Sequence, residues 1–102
     1  DMIISGGFNI YPSDLEAIVR EHPDVADVAV VGAPSAEWGE TPVAFIVSRG
    51  AAAEDIRAFA NARLGKTQRI AEALLIDELP RSHIGKILKR ELRDQYVAGR
   101  PG

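Results

Sequence analysis

The sequence predicts an α+β fold: a small mixed sheet of about three strands with flanking helices, preceded by a short N-terminal β-hairpin. Three observations carry this reading. Residues 25–31 and 43–47 are valine-rich apolar runs of strand character. The link between them is short enough for an antiparallel pair, whereas parallel neighbours need a crossover of about a dozen residues or more. Helical periodicity then recurs in separate segments around these strands, which places helices against a sheet.

The elements follow in order. Met2-Ile3-Ile4 reads as a short strand, broken by Ser5-Gly6-Gly7, with Phe8 to Tyr11 returning as its partner. Pro12 precedes a helix start in which Ser13 and Glu16 have capping-box spacing. Leu15, Ile18 and Val19 give that helix an apolar face, and Pro23 stops it near Glu21 or His22. After the Val25–Val31 strand, Gly32 to Ser35 reads as a turn continuing into a loop through Trp38-Gly39-Glu40. Val43–Val47 is the second main strand. Ala52 to Leu64 is a helix with Ile56, Phe59, Ala60 and Leu64 on one face and Gly65 at its end. Leu74-Leu75-Ile76 is the third strand, and Pro80 to Gly85 a loop. Ile87 to Val97 closes the fold as a helix with Leu88, Leu92 and Tyr96 aligned, and Ala98 to Gly102 is expected to fray.

Composition narrows the function. The 102 residues suit one domain, residues 1–102, with 46% hydrophobic and 26% charged side chains. A net charge of -3 argues against a general nucleic-acid binder. The absence of cysteine removes disulfides and thiolate metal sites, and His22 and His83 lack ligand spacing, so no metal site is expected. No apolar run approaches the ~20 residues needed to span a bilayer. Asp1 leads straight into a strand with no basic leader, as though a longer chain had been cut there.

Three places carry candidate chemistry. Lys86 follows Gly85 at an expected helix start, where free amides suit an anion and a lone cation is disfavoured without one. Locally, a solvated basic helix entry is the favoured alternative. Ser5-Gly6-Gly7 would let a slender ligand or another backbone approach closely, although on local grounds alone a plain hairpin turn is the favoured reading. Trp38 either stacks on a flat ligand or covers the sheet edge, with nothing to choose between them. Two other patterns fail. Leu64-Gly65-Lys66-Thr67 lacks the earlier glycine of a phosphate loop, since Ala60 stands there. Ser82 beside His83 has no orienting acid for nucleophilic catalysis.

Taken together, these segments carry a resemblance. Asp1 through Pro12 resembles the opening of the C-terminal domain of AMP-forming acyl-CoA synthetases, in the adenylate-forming superfamily. His22 through Gly32, Trp38-Gly39-Glu40 and Leu79-Pro80-Arg81 through Gly85-Lys86-Ile87 continue the likeness almost end to end. The resemblance implies a mobile lid working with a large N-terminal domain that this chain does not contain. ATP and CoA would be the substrates together with a small carboxylic acid. Mg²⁺ would accompany ATP and be held mainly by the other domain.

By the same resemblance Lys86 bridges the substrate carboxylate and the α-phosphate during adenylation. The domain then swings on a hinge next to Asp1. Ser5, Gly6 and Gly7 replace Lys86 and line the pantetheine channel, helped by Trp38. Relatives carry an aromatic-Lys-x-Pro segment near CoA phosphates where this chain has Thr67 to Ala71, leaving Lys66 and Arg69 as substitutes. Phe8-Asn9-x-Tyr11-Pro12 is familiar among fatty-acyl-CoA synthetases. The resemblance further implies a cytoplasmic enzyme, and a lysine acetyltransferase as a partner modifying Lys86. Alternatives are an amino-acid-activating module that loads a carrier protein, and a freestanding CoA-binding or regulatory module.

Overall fold

A computed structural model describes residues 2–99. The expected Asp1 hinge and the last of the expected frayed residues, 100–102, lie outside them. The strands are β1 (Ile3–Ser5), β2 (Phe8–Ile10), β3 (Val25–Ser35), β4 (Gly39–Ser48) and β5 (Glu72–Leu75). The helices are α1 (Pro12–Val19), α2 (Ala53–Asn61) and α3 (Lys89–Ala98), with a single 3₁₀ turn at Lys66–Gln68.

The predicted α+β class holds, and so does its mixed sheet. β3 and β4 pair antiparallel along almost their whole length, and β5 joins β4 in parallel. The N-terminal hairpin is not separate as expected. Ser5 pairs with Gly39, so β1 and β2 extend one five-stranded sheet in the order β2-β1-β4-β3, with β5 branching from β4. β3 also runs to Ser35, through the residues expected to form a turn, because Gly32, Ala33 and Pro34 keep pairing with Pro42, Thr41 and Glu40.

Alternation along β3 and β4 feeds two cores. Val28, Val30, Ala44 and Ile46 face α1 and α2, packing with Leu15, Val19, Ile56 and Ala60. Ala29, Val31, Ala33, Val43 and Phe45 face the other way, onto Leu79 and Leu92. The sheet is therefore covered on both sides. That explains why its central strands read as continuous apolar runs rather than as polar alternation.

Helix ends depart from the sequence reading for identifiable reasons. The expected capping box is absent: Tyr11 is the N-cap of α1, without a side-chain bond, and Pro12 fills the first position, where no amide donor is needed. Glu16 is drawn elsewhere. Its Oε2 accepts the Val30 amide at 2.9 Å and pairs with Lys89 Nζ at 2.8 Å. α2 stops at Asn61 rather than Leu64 because its last turn tightens, Arg63 N donating to Ala60 O. Asn61 is buried, and its amide both donates to and accepts from the backbone of Ile70, at 3.0 and 2.8 Å. α3 begins at Lys89 because Ile87 pairs with Arg81 and Leu88 N donates to Pro80 O, which holds that stretch extended.

Glu16 thus satisfies the outer edge of β3 and joins the helices on the two faces. Glu16→Ala leaves the Val30 amide without its partner and should lower stability by about 1–3 kcal/mol. The change should appear as a lower urea midpoint with an unchanged slope. Lys89→Ala, which leaves the amide bonded, should cost less; equal losses would show that the ion pair rather than the amide matters.

Candidate functional site

The chemistry-bearing residues gather at two places. The first is an arm between Leu79 and Leu92. Ser82 N donates to Lys86 O at 2.9 Å, and Gly85 N donates back to Ser82 O at 2.9 Å. The result is a tight hairpin with His83, Ile84 and Gly85 at its tip. Gly85 has φ +87, a left-handed position suited to glycine in a three-residue hairpin loop. Ser82 Oγ accepts the Lys86 amide at 3.3 Å.

Lys86 is exposed and lies on the returning strand of this hairpin, not at a helix start. The anion-binding argument from free helix amides therefore does not apply to it. Its ammonium forms no ion pair among the described residues. An open groove of about 750 Å³ runs beside it, lined by Ile87, Leu88, Arg90 and Asp94 among others. Ile84, at the tip, is 77% exposed.

The arm meets the sheet through Arg81, whose Nη2 bonds Asp27 Oδ2. Arg20 approaches the same carboxylate at 3.6 Å, and Asp27 Oδ1 accepts the Val28 amide at 2.9 Å. Partial burial pushes the Asp27 carboxyl upward. The Arg81 and Val28 hydrogen bonds and the two arginine charges outweigh it and hold the group below its ordinary value. Asp27 and Arg81 were not singled out from sequence. An aspartate beside a buried strand gives no local signal of a partner so distant in the chain.

The second place is a cleft of about 350 Å³ at the other end of β3. Ser5, Trp38, Lys66 and Arg69 line it together, so four residues singled out from three segments converge. Arg57 also lines it, bonding Glu54 at 2.9 and 2.8 Å and Ile70 O at 3.1 Å. With Asn61 it pins the segment that carries Lys66 and Arg69.

Gly6 (φ +57) and Gly7 (φ +85) form the two-residue turn between β1 and β2, in the conformation that favours glycine at both positions. Gly6 N donates to Trp38 O at 2.9 Å. A Cβ built on Gly6 would lie 2.8 Å from Trp38 Cε3, so the indole edge occupies that space. Trp38 covers the turn at the end of the sheet, the covering role of the two that sequence left undecided, and 52% of its surface stays open at the cleft's rim.

No group of three or more His, Cys, Asp or Glu among the described residues is placed to hold a metal ion. No described helix is long and apolar enough to cross a membrane.

An α+β domain with a small sheet covered on both faces matches the C-terminal domain of adenylate-forming enzymes. The chain belongs to the AMP-binding enzyme C-terminal domain family, which matches residues 14–86. It is 44% identical over 96 residues to a 2-succinylbenzoate–CoA ligase from Geobacillus kaustophilus, covering 91% of this chain and 20% of that one. A medium/long-chain-fatty-acid–CoA ligase from Mycobacterium tuberculosis is 39% identical over 109 residues, covering 97% and 19%. Among solved structures, a Mycobacterium tuberculosis fatty acyl CoA synthetase superposes with a TM-score of 0.91 at 38% identity, covering 99% of this chain and 20% of that one. The chain thus spans about a fifth of the length of these relatives.

Gly6→Ala should destabilise the domain by about 1–2 kcal/mol, from left-handed strain and displacement of the indole. As Trp38 is the only tryptophan, its fluorescence should shift in the folded protein. An unchanged spectrum with an unchanged melt would show that turn and indole are not coupled.

Proposed function

We propose that this domain is the mobile C-terminal lid of an AMP-forming acyl-CoA synthetase, working on a site built mainly by a large N-terminal domain. In the first half-reaction a carboxylate oxygen attacks the α-phosphorus of ATP. A P–O bond forms, and the bond to pyrophosphate breaks. Lys86 supplies a compact positive charge between carboxylate and α-phosphate as charge develops there. In the second, the CoA thiolate attacks the acyl carbon and AMP leaves. The lid has then turned, and the Ser5-Gly6-Gly7 turn with Trp38 faces the pantetheine arm, while Lys66 and Arg69 are available to CoA phosphates. Mg²⁺ would accompany ATP and be held mainly by the N-terminal domain, since this domain's described residues offer it no cluster.

One observation carries the reading. The Lys86 arm is anchored at Asp27, and the cleft lined by Ser5, Trp38, Thr41 and Pro42 lies toward the other end of β3, beside its Gly32–Ser35 stretch. A strand rising about 3.3 Å per residue puts roughly 17–26 Å between those points. That separation supports a reading in which the two ends are presented to one reacting centre in turn, by rotation of the domain. The CoA-ligase names of the relatives agree with this reading, and the carrier-protein alternative is not favoured. Nothing specific favours a freestanding module.

In the enzyme carrying this domain, Lys86→Ala should slow adenylation about 100-fold or more. Thioester formation from supplied acyl-adenylate should stay within a few fold. Equal loss in both half-reactions would show that Lys86 has another role.

We propose in addition that the exposed Lys86 is open to a lysine acetyltransferase, which would remove its charge. Incubation with an acetyltransferase and acetyl-CoA should modify Lys86 before Lys89, whose ammonium is engaged by Glu16. Mass spectrometry showing modification at Lys89 alone would end the idea.

A further inference from the structure

We infer that Asp27 is a positioning residue for Lys86: by gripping Arg81 from the sheet, it fixes the base of the hairpin that carries the lysine. This rests on the adenylation role proposed for Lys86 and deepens it.

From Pro80 to Glu91 no residue is buried. The buried anchors, Leu79 and Leu92, lie just outside this stretch, and only Ile87 within it packs partly against the same core. The hairpin's own bonds, among Ser82, Gly85 and Lys86, set its shape but not its direction. Direction comes from side chains that reach the body of the domain. Two do so by ion pairs, Arg81 to Asp27 and Lys89 to Glu16. Lys89 already belongs to α3, so Arg81 is the anchor on the hairpin itself. It stands opposite Ile87 in the closing bridge, and any shift of Arg81 moves the strand on which Lys86 sits.

Asp27 is suited to hold such an anchor still. Its other oxygen accepts the Val28 amide, Arg20 flanks it, and only 23% of the side chain is exposed. A half-exposed ion pair contributes little to stability. Its larger effect here is geometric, because a displacement of about 1 Å in a charge at a reacting centre can cost up to about 100-fold in rate.

The test uses the full-length enzyme and the two half-reactions measured apart. Asp27→Asn keeps an acceptor for the Val28 amide and removes the charge that holds Arg81. It should lower the adenylation kcat about tenfold, with KM for ATP and carboxylate within twofold and thioester formation unchanged. In a Lys86→Ala background Asp27→Asn should add nothing. A tenfold loss that persists in that background would overturn the inference, as would equal loss in both half-reactions or no loss at all. Should Asp27→Asn fail to fold, Arg81→Gln, on the more exposed side of the pair, carries the same expectations. Lys86→Ala alone leaving adenylation intact would overturn the reading beneath, and it shows without any Asp27 variant.

Discussion

The structure depends on how the outer edge of β3 is satisfied. β3 is covered on both faces, yet it is the terminal strand of its sheet. Its outward amides and carbonyls need partners that no further strand among the described residues provides. Side chains supply them. Arg20 donates to Val28 O at 3.4 Å, Glu16 accepts from Val30 N, and Arg93 Nε donates to Gly32 O at 2.8 Å. The first two come from the α1 side and the third from α3. The edge is thereby closed to further pairing, and helices on opposite faces are fastened to one strand. Asp27 stands at the start of this row, so the lysine arm is hung from the same edge.

That placement gives the domain its polarity. The lysine arm sits where β3 begins, and the glycine turn with Trp38 sits where β3 passes into β4. Each end is built from distant segments: Asp27 with Arg81 at one, and Ser5, Trp38, Arg57, Lys66 and Arg69 at the other. The stiff β3–β4 ladder between them fixes their separation. The proposed alternation therefore needs only rigid rotation of the domain, with no refolding of either end.

Much of the fold was legible in the sequence. The strand runs and helix stripes follow from periodicity, and the Gly6-Gly7 turn from the backbone freedom it requires. What was not legible arises from competition over long separations. Ser13 and Glu16 have capping-box spacing, but the Val30 edge and Lys89 compete for Glu16 and win, because an unpaired strand amide in a covered edge costs more than a helix cap recovers. Gly32 to Ser35 looks like a turn by composition, but ladder pairing with β4 carries it as strand. The converging cleft residues could be named one by one, but not placed together. Arg57 and Asp27 gave no sign at all, since their partners lie on other elements.

The structure also changes why Lys86 stands out. At a helix start its charge would oppose the macrodipole and need a bound anion to offset it. That burden falls instead on Lys89, the first residue of α3, and Glu16 neutralises it at 2.8 Å. Arg81, on the other side, is neutralised by Asp27. The cations flanking Lys86 are thus committed to carboxylates of the body, while Lys86 projects from a glycine-shaped hairpin with its ammonium unpaired among the described residues. An ammonium left free on a fixed arm can meet an incoming carboxylate and phosphate without first breaking an ion pair. Two of its neighbours, Arg81 and Lys89, are held by carboxylates, and Lys86 is left available on the hairpin, with Arg90 the other cation beside the same groove that is unpaired among the described residues.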